Sequence, residues 1–121
     1  MEKQININDI LEMSVIEIHE WYSKNFMKKV PDAESITLIS EELGNLLSEY
    51  ANYFVYFDYM HSILEAVVKE KKQSKDESAK NLMVKRDIIG HFADEMKFSY
   101  NALSRICTMK IESNKELNMF K

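Results

Sequence analysis

A repeating apolar pattern through the middle of the chain constrains the fold more than any other feature. Apolar residues recur at alternating steps of three and four positions: Ile36, Ile39, Leu43, Leu46, Tyr50, Tyr53, Phe57, Met60, Leu64 and Val67. This spacing is typical of a helix that presents one apolar seam to a partner. It predicts a helix over about 35–72, about 55 Å long at 1.5 Å per residue. Such a helix needs a partner of similar length, because its seam would otherwise face water.

A second apolar pattern supplies that partner. Its seam consists of Leu82, Ile89, Phe92, Met96, Leu103 and Ile106, with Lys85 and Ser99 as polar interruptions. The segment between the patterns is polar and lysine-rich, and Ser74 and Glu77 have the spacing of a capping box. We expect the chain to fold back near residue 75 into a helix over about 75–112, followed by a C-terminal tail over 113–121. Folding there pairs Tyr53 with Met96, Leu46 with Leu103 and Leu43 with Ile106.

A shorter helix is predicted at the amino-terminal end, over about 9–29. Its apolar face is formed by Leu11, Val15, Ile18, Tyr22 and Phe26. Asn8 or Asp9 is placed to cap its first turn. Pro31 ends this helix, because the residue before a proline is pushed out of helical geometry. Asp32 or Ser35 can then cap the long helix.

Composition favours an all-helical chain. The 121 residues include only two glycines and one proline, and runs of alternating β-branched residues bounded by turn residues are absent. The length fits one domain. We therefore predict an all-α fold in a single helical domain over 1–121. Its three helices would form a long, coiled-coil-like antiparallel hairpin with the shorter N-terminal helix packed against it.

Aromatic side chains crowd the middle of the long helix on nearly every side: Tyr50, Tyr53, Phe54, Tyr56, Phe57 and Tyr59. One partner helix cannot cover all of them, so the first helix or a second subunit must lie against the open face. Core packing is the ordinary role of such residues, and stacking on bases is the alternative. We expect a homo-oligomer whose interface contains Tyr53, Phe54, Tyr56 and Tyr59.

Charge is distributed unevenly. Residues 1–68 carry 4 basic and 12 acidic side chains, residues 69–86 carry 7 and 3, and residues 87–121 carry 5 of each. A concentrated basic segment can contact phosphate while the acidic remainder stays solvated. The candidate nucleic-acid-binding residues are therefore Lys69, Lys71, Lys72, Lys75, Lys80, Lys85 and Arg86. Solubilising the turn is the ordinary role of lysines in such a segment.

The sequence also predicts a compartment. Cys107 is the single cysteine and cannot form an internal disulfide. No apolar run reaches the roughly 18 residues of a membrane-spanning helix, and the first residues lack the order of a signal peptide. We expect a cytoplasmic location and no contact with a membrane.

One acidic motif suggests an enzyme. The segment 41–47, which begins Glu41-Glu42, resembles the first acidic motif of the all-helical nucleoside triphosphate pyrophosphohydrolases. The resemblance implies magnesium held by four carboxylates across a helix pair. This chain has Asn45 at the position of a third acid, and Glu65 is followed three residues later by Val68 instead of an aspartate. Two carboxylates form a poor magnesium cage, so we predict no enzymatic activity and no cofactor.

A second group of residues contains candidate metal ligands. Asp58, His61 and Glu65 lie at helical spacing, and His91, Asp94 and Glu95 would lie near them across the hairpin. Asp58 and Asp94 fall on the outward side of their seams, whereas metal sites in helical bundles point their ligands inward. We predict no metal site. Two mid-helix glycines, Gly44 and Gly90, indicate either close helix approach or a ligand that contacts the backbone.

The layout over residues 35–120 resembles small helical-hairpin proteins of tailed phages. The likeness rests on a tyrosine-rich first arm (Tyr50, Tyr53, Tyr56 and Tyr59), a lysine-rich turn, and a second arm that closes with residues 100–105 and 110–119. These phage proteins include recombination mediators, which help a recombinase load onto single-stranded DNA. The resemblance implies a non-enzymatic accessory protein that contacts single-stranded nucleic acid and a recombinase. Small acidic phage inhibitors of host defence complexes are similar in size, acidity and helical content, and they are the alternative.

Overall fold

The computed structural model describes residues 4–26 and 40–119, with side chains described over 4–26 and 43–109. Within these ranges the chain forms α1 (Ile7–Glu12), α2 (Val15–Phe26), α3 (Ser40–Gln73) and α4 (Ala79–Met119), and no strand. The prediction of an all-α fold is confirmed. The predicted start of the long helix and the predicted end of the first helix lie outside the described residues.

α3 and α4 form the predicted long antiparallel hairpin. The ring centroids of Phe57 and Phe92 lie 5.7 Å apart, and one turn nearer the hairpin tip the imidazole of His61 lies against Gly90. Both contacts agree with the pairing expected from a fold-back near residue 75. The buried core of the hairpin contains Leu43, Tyr50, Tyr53, Phe57, Met60, Leu64, Ile89, Phe92, Met96, Leu103 and Ile106.

The α3 seam shifts by one position near the tip. The pattern places Val67 in the seam, but Val68 is the fully buried residue and Val67 is only half-buried. A straight helix has 3.6 residues per turn and therefore drifts relative to a repeat of 3.5. Over the length of α3 this drift moves the face that meets α4 by about one residue.

The hairpin turn differs from the predicted capping box at Ser74. Lys75 adopts a left-handed conformation (φ 57°), and the amide of Asp76 donates to the carbonyl of Lys71 at 3.0 Å. The amide of Lys75 donates to the carbonyl of Lys72, which completes a Schellman motif at the end of α3. Ser74 Oγ donates back to the Lys71 carbonyl, so Ser74 belongs to the end of α3 and α4 begins only at Ala79.

The predicted first helix is divided in two. Met13 is extended (ψ 145°) and ends α1. Ser14 then caps α2, because the amide of Glu17 donates to Ser14 Oγ at 3.1 Å and the amide of Ser14 donates to Glu17 Oε1 at 3.2 Å. The cap of α1 is Asn6, which pairs reciprocally with Asp9, instead of Asn8 or Asp9 itself.

The C-terminal prediction also needs correction. α4 continues to Met119, so residues 113–119 extend this helix instead of forming a separate tail. Neither glycine nor proline interrupts the chain after Gly90. The backbone therefore has no residue that ends the helix earlier, although the apolar seam weakens there.

α2 covers the aromatic face that α4 leaves open. Phe26 and Phe57 lie 4.9 Å apart between ring centroids in an edge-to-face arrangement. Tyr22 stacks almost parallel on Phe92 at 3.8 Å, and Trp21 meets Phe57 at 5.9 Å. Of the two covers considered for this face, the shorter N-terminal helix is the one present in the structure. The buried core therefore joins α2, α3 and α4.

Candidate nucleic-acid interface

The hairpin tip presents several predicted lysines to solvent. Lys69, Lys72, Lys75 and Lys80 are exposed, and none of them forms an ion pair with another described residue. Lys69 and Lys72 lie on the last turns of α3, Lys75 lies in the turn, and Lys80 lies on the first turn of α4. These four residues are called the tip lysines below. Their ammonium groups remain available to an anion.

Lys71 is held at the tip by the turn itself. Its Nζ lies 3.3 Å from Asp76 Oδ2, and both side chains are partly exposed. The amide of Ser78 donates to Asp76 Oδ1 at 2.9 Å, and this bond is the main reason that the pKa of Asp76 is lowered, with a further contribution from Lys71. Asp76 therefore stays ionised and neutralises part of the charge of Lys71.

Lys85 does not belong to the tip surface, which corrects its prediction as a nucleic-acid-binding residue. Its side chain is only 3% exposed, and its Nζ donates to the carbonyls of Ile10 at 3.1 Å and Leu11 at 2.8 Å. These carbonyls lie at the end of α1, where a helix has unpaired acceptors. Burial lowers the pKa of Lys85, and the charge of Glu17 partly opposes that shift. Lys85 thus fastens α1 to α4.

Arg86 is only partly exposed and is already paired. Its guanidinium donates to Asp87 Oδ1, with both Nε and Nη2 at 3.1 Å. The pair neutralises much of the charge that Arg86 was expected to contribute. The candidate interface at the tip is therefore reduced to the four tip lysines and, to a smaller extent, Lys71.

The four residues expected at an oligomer interface lie in different environments. Tyr53 is buried in the core, and its hydroxyl donates to Glu49. Phe54 is partly buried, whereas Tyr59 is 66% exposed. Tyr53 offers a partner very little surface, because its ring packs against Phe26 of α2 and Tyr50 of α3. Tyr59 remains as the accessible aromatic residue of this set.

Tyr56 forms hydrogen bonds with the backbone of its own chain. Its hydroxyl donates to the carbonyl of Ile5 at 2.5 Å and accepts from the amide of Ile5 at 2.8 Å. Burial raises the pKa of Tyr56, and the bond to the backbone partly counters this. The residue therefore ties the segment before α1 to α3, which accounts for its position in the sequence without a second subunit.

Four of the six candidate metal ligands border a groove of about 520 Å³ between α3 and α4. Asp58, His61, His91 and Asp94 all border it. Within 4–26 and 43–109, however, no three His, Cys, Asp or Glu side chains are arranged to hold a metal ion. The Glu41 and Glu42 side chains lie outside the described ones, so the magnesium motif has no structural description.

The two helical glycines have different surroundings. A Cβ on Gly90 would lie 2.9 Å from His61 Cδ2, closer than such atoms normally approach. A Cβ on Gly44 would meet no other atom of the described residues within 4 Å. Close packing of α3 on α4 therefore accounts for Gly90. It does not account for Gly44, for which we have no structural explanation.

A hydrogen-bonded group absent from the sequence predictions joins α2 to α4. Tyr22 Oη donates to Glu95 Oε2 at 2.5 Å, and His91 Nε2 lies 3.0 Å from Glu95 Oε1. Burial is the main cause of the raised pKa of Tyr22, and the bond to Glu95 and its negative charge add to it. The i, i+4 spacing of His91 and Glu95 predicts their contact on one helix face. The sequence gives no such signal for Tyr22, which lies 73 residues from Glu95 along the chain.

Comparisons with known proteins add no identification. The chain matches no family model, no curated protein and no solved structure. Among the described helices, none combines the length and the apolar character that crossing a membrane requires.

Proposed function

We propose that this protein is a non-enzymatic, phage-type accessory binding protein whose hairpin tip contacts single-stranded nucleic acid. The observation that carries this proposal is the exposure of the four tip lysines, none of which forms an ion pair with another described residue, at one end of an otherwise acidic chain. Phosphate contacts by such residues supply affinity that does not depend on base sequence. The role that fits this chemistry is that of a recombination mediator, with a recombinase as protein partner in the cytoplasm.

The tip alone predicts modest affinity. Glu70, Asp76 and Glu77 lie among the lysines, and Lys85 and Arg86 are engaged elsewhere. Avidity from several tips in a homo-oligomer would raise the affinity without any new contact. Tyr59 and Val55, exposed one turn apart on α3, are the surface that we propose for self-association.

Salt dependence of oligonucleotide binding tests the tip. Replacing Lys69, Lys72 and Lys80 together by glutamine should weaken binding of a labelled oligothymidine and flatten the dependence of affinity on salt. Each lost phosphate contact lowers the slope of log K against log salt by about 0.7 for a single strand. A fluorescence-anisotropy titration at several salt concentrations measures both quantities.

A matched control separates the tip from overall charge. Lys24, Lys97 and Arg105 are exposed and lie away from the tip, so their replacement by glutamine removes the same net charge. This control should keep most of the affinity and slope. Equal weakening by the two triple variants would mean that charge acts without a defined site. Absence of binding by the folded wild-type protein at low salt would end the mediator proposal.

Light scattering tests the proposed oligomer. A mass near 14.3 kDa at tens of micromolar would show a monomer and remove avidity from the proposal. If the protein is an oligomer, Tyr59→Asp should reduce its mass, because a charge would be placed in the proposed interface.

A second candidate function is inhibition of a host defence complex by protein binding. The groove between α3 and α4 favours it, because the exposed carboxylates of Asp58 and Asp94 border the groove. Asp87, which already pairs with Arg86, adds a third carboxylate, and Lys97 is the lysine among the described lining residues. Such a surface is complementary to a basic nucleic-acid site on another protein. Strong binding to a basic protein, together with no binding to an oligonucleotide, would favour this function over the first.

A further inference from the structure

A second groove of about 420 Å³ lies between α2 and α4, on the side of Tyr22 and Phe98. Its apolar lining consists of Tyr22, Phe26, Tyr50, Met96 and Phe98, and its polar lining consists of Asp94, Glu95 and Ser99. Most of these apolar side chains belong to the core and expose only an edge here. The floor is therefore held rigidly by the packing of three helices.

Phe98 distinguishes this groove from an ordinary surface depression. Its side chain is 76% exposed, although it lies beside an apolar floor that could receive another apolar group. Exposed aromatic residues next to a packed apolar pocket are common anchors in protein–protein interfaces. Phe98 can close over a bound side chain and bury part of its own surface at the same time.

The charge of the lining defines what can enter. Asp94 and Glu95 are its charged residues within the described range, and both are acidic. Glu95 is fixed by its bonds to Tyr22 and His91, whereas Asp94 is exposed and forms no ion pair with another described residue. A phosphate would be repelled at this rim. A second copy placed by a two-fold axis would oppose one acidic rim to another.

We infer that this groove binds a segment of a partner protein that places a bulky apolar side chain beside an arginine or lysine. The apolar side chain lies on the floor beside Phe98, and the cation lies against Asp94 and Glu95. Ala79 at the start of α4 and Glu95 are about 24 Å apart along the helix. The groove and the tip can therefore be occupied together, and this inference does not depend on nucleic-acid binding at the tip.

Two capped tripeptides test the charge and the apolar requirement. Acetyl-Leu-Arg-Leu amide is titrated into ¹⁵N-labelled full-length protein, and acetyl-Leu-Glu-Leu amide is the matched probe of opposite charge. The arginine peptide should shift the amide signals of residues 94–99 in a saturable way. It should bind about tenfold more tightly than the glutamate peptide, because opposite charge is rejected at an acidic rim.

Surface substitutions locate the binding. Phe98→Ala should weaken the arginine peptide about tenfold, the usual consequence of truncating an aromatic anchor. Asp94→Lys should weaken it about fivefold, as expected for a partly screened ion pair. Tyr100→Ala and Glu65→Lys are the controls, because they make the same kinds of change at exposed positions outside the groove, and they should leave binding unchanged.

Several results would overturn the inference. Equal binding of the two peptides would remove the role of Asp94 and Glu95, and shifts confined to other residues would remove the site. Shifts of residues 94–99 on adding oligothymidine, or on raising the protein concentration alone, would assign the groove to nucleic acid or to a second copy. Failure of the tip proposal would be visible separately, as no oligothymidine-induced shifts in residues 69–80.

Discussion

Replacing Lys85 by methionine tests whether this residue is a structural tie instead of a nucleic-acid contact. The substitution keeps an unbranched side chain in a position that is 3% exposed, but it removes the ammonium that donates to the carbonyls of Ile10 and Leu11. We expect Lys85→Met to lower the free energy of unfolding by about 2 kcal/mol.

The magnitude follows from the partners of the ammonium. Hydrogen bonds from a charged donor contribute about 1.5–3 kcal/mol each, but burying an ammonium costs several kcal/mol, which methionine avoids. These two effects largely cancel. The Ile10 carbonyl keeps a bond from the Met13 amide at 3.3 Å, whereas no other described residue donates to the Leu11 carbonyl. An unsatisfied acceptor of this kind costs about 1–3 kcal/mol.

Urea unfolding followed by the fluorescence of Trp21, the single tryptophan, measures the loss. For a slope of about 1–3 kcal/mol per molar urea, a loss of about 2 kcal/mol lowers the midpoint by about 1 M. Lys80→Met is the control, because it removes the same charge from an exposed position. Its effect on stability should stay within about 0.5 kcal/mol.

Oligonucleotide binding should respond in the opposite way. Lys80→Met should reduce the salt slope by about 0.7, whereas Lys85→Met should leave it unchanged while the protein is folded. A midpoint for Lys85→Met no lower than that of the control would refute the structural role. Loss of oligonucleotide affinity without loss of stability would return Lys85 to the tip interface.

The pH dependence of the stability of wild type and Lys85→Met gives a further check. Burial lowers the pKa of Lys85 below its usual 10.5, so the folded protein binds fewer protons than the unfolded chain between those two values. Stability contributed by Lys85 therefore rises with pH through this window and is lost as pH falls through the folded pKa. The difference in unfolding free energy between wild type and Lys85→Met should therefore increase as the pH rises toward 10.5.

Four other substitutions probe the core, the helix contact and the buried tyrosine. Phe57 is fully buried, so Phe57→Ala should lower the unfolding free energy by about 3–5 kcal/mol, and a loss below about 1 kcal/mol in urea would contradict its core position. Gly44→Ala should raise the free energy of unfolding by up to about 1 kcal/mol. Gly90→Ala should give no such gain, because the added methyl group would meet His61. Equal gains for the two variants would rule out the close contact between Gly90 and His61. Because the pKa of Tyr22 is raised above 10.0 in the folded protein, the stability that Tyr22 contributes is complete below pH 10.0 and is lost as the pH rises above that value. Tyr22→Phe should therefore show a smaller fall of the urea midpoint above pH 10.0 than the wild type. An unchanged fall would show that other groups cause it.

The hairpin could be predicted because its signals are local and repeated. Two independent apolar seams flank one polar segment, and a seam of period near 3.5 requires a partner helix whatever its detailed packing. The division of the first helix is also encoded locally, since Ser14 and Glu17 have the spacing of a capping box that begins a new helix. Capping depends on residues three apart, so the sequence contained this information.

The roles of individual polar and aromatic residues were decided by the tertiary structure. The pattern marks Lys85 as an interruption of a seam, but only the fold places the end of α1, 75 residues away in the chain, against its ammonium. The aromatic face of α3 requires a cover, and only the tertiary structure shows that Tyr53 and Tyr56 meet α2 of the same chain. A periodic pattern reports which face of a helix must be buried. It does not report what buries it, because that depends on contacts between residues far apart in sequence.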